Sequence, residues 1–417
     1  MADQFVNLKG GGVSFAPAAI GFYFAARLCI TFLAFQSDPK IGAYVNFAIH
    51  SLLFTVIIFY SWGPAKFPVR EMLHGFPVRW ILGFLVMGLC SLTWSSTASL
   101  PVAVAYWCEL ASEVGMIILA IRTEEPAAVA FSVMQGYACG ALVISAVEWF
   151  SPTMYDLRPG DDDFFSPNAI GFTCALGVFL LQIIGRRSVV SRIVAGILAI
   201  SLLRSLSKTT IIAFVIAQGF LLLLDRSRTW RGKIGLVMPA LLAVGAFWSL
   251  FERYYDVYTH LGNQSETLSG RVGIWAFVLT RAMEQPWIGH GFHSFRNVIP
   301  PFGSFEAWHA HNELLQQFYA YGVLGLVVVC SLYGSLFRQI RKADSAATKS
   351  KLTALLIFVF IRGLADTENF DLSLPLWLAA LISITLSTAA SSAVLPASLA
   401  LGRDRDHLPP AAEGCAS

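Results

Sequence analysis

Charge is scarce in this 417-residue chain: Asp, Glu, Lys and Arg make up 13% of it against 56% hydrophobic residues, with a mean hydropathy of +0.63. That balance excludes an ordinary soluble domain. The net charge of +3 forms no coherent basic face, which sets nucleic acid aside as a partner. Disulfide chemistry is lacking too. Cys29, Cys90, Cys108, Cys139, Cys174 and Cys330 fall inside apolar stretches and Cys415 lies in the tail, so the thiols read as packing residues. Neither His-Glu-x-x-His nor Cys-x-x-Cys occurs, and no metal or other cofactor is expected. Low-complexity linkers and a convincing internal repeat are also missing, so residues 1–417 are expected to form one membrane domain.

What the chain does have is long apolar runs. A bilayer core takes about 20 mostly apolar residues per helix, and such stretches lie near 15–35, 41–61, 80–94, 101–121, 126–150, 168–185, 190–204, 209–224, 234–251, 313–337, 352–369 and 374–395. Their continuity implies helices, because barrel strands alternate. The expected fold is all-α and polytopic, with about twelve spans. The first run lacks a small-residue cleavage pattern and reads as a retained helix. With both termini inside, cytoplasmic segments hold about twice the Lys and Arg of external ones. Arg186, Arg187 and Arg192, then Arg226, Arg228, Arg231 and Lys233, then Arg338, Arg341 and Lys342 are the clearest anchors.

Polarity concentrates on the external side. Residues 252–312 form a long external loop, and 151–167 a second one rich in Asp; long ordered loops tend to be functional. Within the long loop, the run from Ser269 reads as an amphipathic helix to about Met283, lying in the interface or packing on the bundle. Gly289-His290-Gly291 and Pro300-Pro301 then break regular structure. His260, His290, His293, His309 and His311 all fall in this loop, and imidazole exchanges protons near neutrality. The stretch from Trp308 to Leu315 places two of them, with Asn312, where the chain re-enters the membrane.

Arg271 is an external cation whose fork suits phosphate. Arg204 and Lys208, flanked by Ser205, Ser207 and Thr209, can cradle phosphate oxygens or act as snorkelling helix ends. Glu109 and Glu113 share one helix face inside a span, with Arg27 as partner in a structural set, or as a proton-coupling pair in a transporter. Glu148 and Asp161 to Asp163 read as external and solvated. Glu368, in the charged run from Arg362 to Asn369, is a candidate to line the same cavity as His311.

Specific motifs then emerge. His311-Asn312, nine residues, and Gly322-x-x-Gly325 resemble the signature of the O-antigen ligase and Wzy-type polysaccharide polymerase superfamily. Arg271-x3-Trp275, the Pro286-x-x-Gly289-x-Gly291 turn and Ser207-Lys208-Thr209 are similar to further family segments, over roughly residues 190–335. The resemblance implies a GT-C-like, metal-independent, inverting glycosyltransferase of the bacterial inner membrane, active on its periplasmic face. The implied donor is an undecaprenyl-diphosphate-linked oligosaccharide and the partner a saccharide acceptor, with other polysaccharide export components nearby. His311 would be the base and Arg271 the diphosphate ligand. Lys208 stands where the family has a second Arg, with Arg204 one turn earlier. Asn312, His309, Trp275 and Glu368 complete the expected substrate contacts. The Ser-Lys-Thr form is most like the exopolysaccharide-production polymerases; an O-antigen ligase and a multi-pass transporter are the alternatives. The loop aromatics Trp275, Trp287, Trp308 and Tyr319 either stack on sugars or form an interfacial belt.

Overall fold

The computed structural model describes residues 13–34, 39–150, 165–185, 188–224, 229–234, 268–296, 298–301, 307–368 and 370–388. The expected ninth span, the Asp-rich loop at 151–164, His260, Asn369, Cys415 and the anchors Arg186, Arg187, Arg226 and Arg228 lie outside them.

Among the described residues there is helix and no strand. In chain order the helices are α1 (Phe15–Ala34), α2 (Pro39–Tyr60), α3 (Val69–Leu73), α4 (Phe76–Ser91), α5 (Leu100–Thr123), α6 (Pro126–Phe150), α7 (Pro167–Ile184), α8 (Val189–Arg204), α9 (Lys208–Leu224), α10 (Leu268–Ala282), α11 (Glu313–Arg341) and α12 (Ala346–Gly363), followed by α13 (Leu376–Thr388). Five of them, α2, α5, α6, α7 and α11, are long and apolar enough to cross a membrane, and α1, α4, α9 and α13 contain shorter apolar stretches. Helix starts follow local chemistry. Ser166, Ser188 and Ser345 accept a backbone N–H three residues on and cap α7, α8 and α12.

Lipid provides no hydrophobic drive between helices, so close packing must hold the bundle. α1 and α6 achieve it with glycine: a Cβ at Gly136 would run into the Ala18 carbonyl, and one at Gly140 would lie 2.5 Å from the Phe22 carbonyl. Near their midpoints α1, α2 and α5 meet. Arg27 Nη1 lies 3.1 Å from Glu109 Oε1 and 2.5 Å from Glu113 Oε1, the partner expected for both carboxylates. His50 joins them, with Nε2 2.6 Å from Ser112 Oγ and Nδ1 4.0 Å from Glu109.

The stretch expected as one span at 313–337 is two helical segments broken at Gly322, whose φ of 63° and ψ of −154° no helix accommodates. The break leaves backbone groups unpaired, and the turn at 286–291 takes them up. Val323 N–H donates to Pro286 O at 2.8 Å, while His290 and Gly291 donate to Tyr319 and Ala320 carbonyls at 3.0 and 2.8 Å. Gly289 and Gly291 sit at φ 63° and 90° to make this possible. On its other side the turn is tied to the end of α4, where Ser95 Oγ donates to Phe292 O at 2.5 Å and Phe292 N donates to Ser91 Oγ at 2.9 Å. Gly322 therefore permits the close approach of the turn, where a Cβ would meet the backbone of Pro286 and Trp287.

A second, smaller core forms above the bundle. Ile274, Val278 and Ala282 of α10 bury against Phe295, Ile299, Ala307, Ala310 and Tyr319. The amphipathic segment thus packs on the loop and on the first turns of α11.

Candidate active site

Asn312 begins the site. Its side-chain oxygen accepts from Leu315 N at 2.9 Å and its amide donates to Leu364 O at 2.9 Å. Expected as a substrate contact, Asn312 is engaged at both ends, as cap of α11 and tie to the α12–α13 connection. Immediately before it, His311 adopts φ 50°, a left-handed conformation that side chains rarely take and that costs on the order of 1 kcal/mol. Its neighbours hold it there. Ala310 N donates to Gln316 Oε1 at 2.8 Å, and Ala310 O accepts from Trp275 Nε1 at 3.0 Å. Trp275 therefore fixes the histidine loop from α10.

His311 Nδ1 lies 3.3 Å from Asp366 Oδ1, and Asp366 Oδ2 lies 3.3 Å from Arg362 Nη2. Asp366 is 2% exposed and the His311 side chain 12%. Burial opposes ionisation of Asp366, but the Arg362 guanidinium and the hydrogen bond from His311 hold its carboxyl well below the usual range. A carboxylate on Nδ1 fixes the tautomer and makes Nε2 the basic nitrogen. His309 packs edge-on against His311 with ring centres 4.2 Å apart, and its Nδ1 accepts the His311 N–H at 3.2 Å. Burial and the adjoining His311 push His309 well below the usual imidazole range, so it stays neutral and orients its neighbour.

Arg271, in the first turn of α10, reaches the same connection. Its Nη1 donates to Thr209 Oγ1 at 3.1 Å and to the carbonyl of Ala365, the residue before Asp366. It is buried, and its Nε has no hydrogen-bond partner among the described residues. Thr209 follows Lys208, the exposed first residue of α9. Segments carrying Lys208, Arg271, His311 and Asp366 thus converge on one end of the bundle.

Two expectations are corrected. Arg204 turns away from this convergence: it donates to Glu148 O at 2.5 Å, sits 3.8 Å from that carboxylate and 4.6 Å from the Trp149 ring centre. Glu148, expected to be solvated, is fully buried beside it. Glu368, expected to line the same cavity as His311, stays close to it by pairing at 3.1 Å with Arg362, the guanidinium that also holds Asp366, and it is Asp366 that meets the imidazole. The i, i+4 spacing of Arg362 and Asp366 at a helix end was the available signal. Of the remaining histidines, His290 stacks on Tyr319 at 4.6 Å, and His293 stacks on Phe370 at 4.9 Å with Thr97 Oγ1 2.7 Å from its Nδ1.

His309, His311 and Asp366 each bring a metal-ligating atom within 4.8 Å of the others, as do His50, Glu109 and Glu113. In the first group Asp366 is held by Arg362 and His309 Nδ1 accepts the His311 N–H, and in the second the Arg27 guanidinium pairs with both Glu109 and Glu113.

The family model described as O-antigen ligase matches residues 193–330. The chain is 20% identical over 383 residues to the exopolysaccharide production protein ExoQ of Rhizobium meliloti, covering 84% of this chain and 85% of that one. It is 28% identical over 138 residues to an O-antigen ligase of Pseudomonas aeruginosa, covering 33% of each. Lys208, Arg271, Trp275, His311 and Gly322 all fall in the family segment, whereas Arg362 and Asp366 lie beyond it. With its apolar helices of membrane-spanning length and this match, the chain is a membrane protein that resembles the O-antigen ligase family over residues 193–330.

Proposed function

We propose that the protein is an inverting, metal-independent glycosyltransferase that polymerises saccharide repeats carried on undecaprenyl diphosphate, at the periplasmic face of the bacterial inner membrane. One observation carries the reading: the His311–Asp366 pair and the Arg271 guanidinium are anchored on adjacent residues, Asp366 and Ala365. A base and an anion ligand are thereby held at a fixed separation, as displacement at an anomeric carbon requires. His311 Nε2 takes the proton of the acceptor hydroxyl, and the oxygen attacks the anomeric carbon on the face opposite the diphosphate. As the new glycosidic bond forms, the bond to the diphosphate breaks. Arg271 and Lys208 receive the departing charge, and the anomeric centre inverts.

Likeness over most of its length to an exopolysaccharide production protein favours the polymerase reading. A ligase passing finished chains to a lipid A core shares the donor and differs in the acceptor. A multi-pass transporter using Glu109 and Glu113 is the second reading, and there Arg27, paired with both carboxylates, would have to release them during transport. Deletion of the gene followed by glycan analysis tests the proposal. Single repeats in place of long chains support a polymerase, and long chains left on the lipid carrier support a ligase. Normal glycan from cells carrying only His311→Ala or Arg271→Ala protein would overturn the catalytic assignment.

A further inference from the structure

The two segments that form the His311–Asp366 pair also carry a second group of side chains. Trp308 precedes His311 by three residues, a separation of at most about 11 Å along the chain. Phe370 follows Asp366 by four. The Arg296 guanidinium lies 3.7 Å from the Trp308 ring centre and donates to the Tyr106 hydroxyl at 3.3 Å. Tyr106 packs on Phe370 with ring centres 4.6 Å apart, and His293 stacks on both rings. Tyr106, Arg296, Trp308 and Phe370 are all half-buried.

The structure also separates the loop aromatics from one another. Trp287 is largely exposed, Tyr319 is buried with its hydroxyl on the Ser294 carbonyl, and Trp275 is spent on Ala310. Of those four rings, Trp308 is the one that carries the Arg296 guanidinium, which in turn reaches the Tyr106 hydroxyl. A pyranose presents an apolar C–H face and a rim of hydroxyls, and a site for it needs flat apolar walls with a few placed polar groups. Arginine and phenol provide those polar groups, as donors and, for the phenol, also as acceptor.

We infer that Tyr106, Arg296, Trp308 and Phe370 form a saccharide subsite beside His311, which seats a pyranose ring of the acceptor. This rests on the glycosyl-transfer reading and adds to it the place where the acceptor chain lies.

The test is binding, measured without turnover. Full-length protein in zwitterionic nanodiscs is titrated with the repeat-unit oligosaccharide released by mild acid from the cell's own surface glycan. That probe carries neither lipid nor diphosphate, so the donor site contributes nothing to its affinity. The wild type is expected to bind, Trp308→Ala and Arg296→Ala to weaken binding about tenfold or more, and Tyr106→Phe to weaken it by less. Trp62→Ala, at an exposed tryptophan just past the end of α2, should bind as the wild type does. Circular dichroism and elution volume establish that each variant folds. Absence of oligosaccharide binding to the wild type, or undiminished binding by folded Trp308→Ala and Arg296→Ala, overturns the inference. Glycan formation by the His311 and Arg271 variants decides the catalytic reading separately, since binding of the free oligosaccharide does not depend on it.

Discussion

His311 and Asp366 meet at 3.3 Å although 55 residues separate them, and the contact joins the start of α11 to the connection after α12. The carboxylate is itself held by Arg362 at 3.3 Å, so it is oriented before any substrate arrives.

Replacing Asp366 by Asn keeps the shape and removes the charge. The amide lets His311 take the wrong tautomer, and turnover is expected to fall about 10²- to 10⁴-fold while the protein still folds. Polymer yield in a reconstituted assay, read beside thermal melting, checks this. Turnover within about twofold of wild type would mean that Asp366 does not set the imidazole.

Lys208→Arg is expected to be tolerated better than Lys208→Ala, because the fork restores charge and adds bidentate geometry. Arg271→Lys should lose more than Lys208→Arg, since it removes the guanidinium fork that suits a diphosphate whereas Lys208→Arg adds one. Glycan length distribution in complemented cells gives the ranking. Equal loss in both Lys208 variants would separate that residue from phosphate binding.

Gly322→Ala should disrupt the latch between α11 and the 286–291 turn. A Cβ there would collide with the backbone of Pro286 and Trp287, at a φ of 63°. Backbone strain alone costs on the order of 1–2 kcal/mol, and the collision adds to it. Gly334, with open space around it, is the control for alanine substitution in the same helix. A lowered melting temperature for Gly322→Ala and not for Gly334→Ala is the expected result.

Acid should loosen the same end of the molecule. Burial, with Arg296 close by, lowers the His293 imidazole from 6.5 to about 4. Its folded form stays neutral where the unfolded chain takes up a proton, so the stability it contributes is present above pH 6.5 and is lost as pH falls towards 4. The loss amounts to about 3 kcal/mol at most. His293→Asn should flatten the fall in melting temperature across that window. Asp366, held below its ordinary 3.8, adds a loss at still lower pH.

Much of this was legible because local rules govern it. Continuous apolar runs gave the helices, whereas the choice of His311 over His309 came from the family resemblance of the His311-Asn312 to Gly322 and Gly325 spacing. Glu109, Glu113 and Arg27 were pairable because lipid leaves ions few alternatives. Asp366 was harder. The sequence offers Asp366 and Glu368 in one charged run, and only the register at the end of α12 decides which acid meets the imidazole. Arg204 misled because a cation among serines looks alike whether it faces phosphate or a buried carboxylate. The break at Gly322 was hidden for a related reason: its hydrogen-bond partners lie in a turn more than thirty residues upstream.

The interlock of Gly289 and Gly291 with Gly322 also sets the modules in which such proteins can be recombined. A chimera that exchanges α11 without the 286–291 turn leaves backbone donors and acceptors facing a foreign loop. A graft of α11 must therefore bring the 286–291 turn with it, and one intended to alter acceptor choice must also carry Tyr106 of α5 and Phe370.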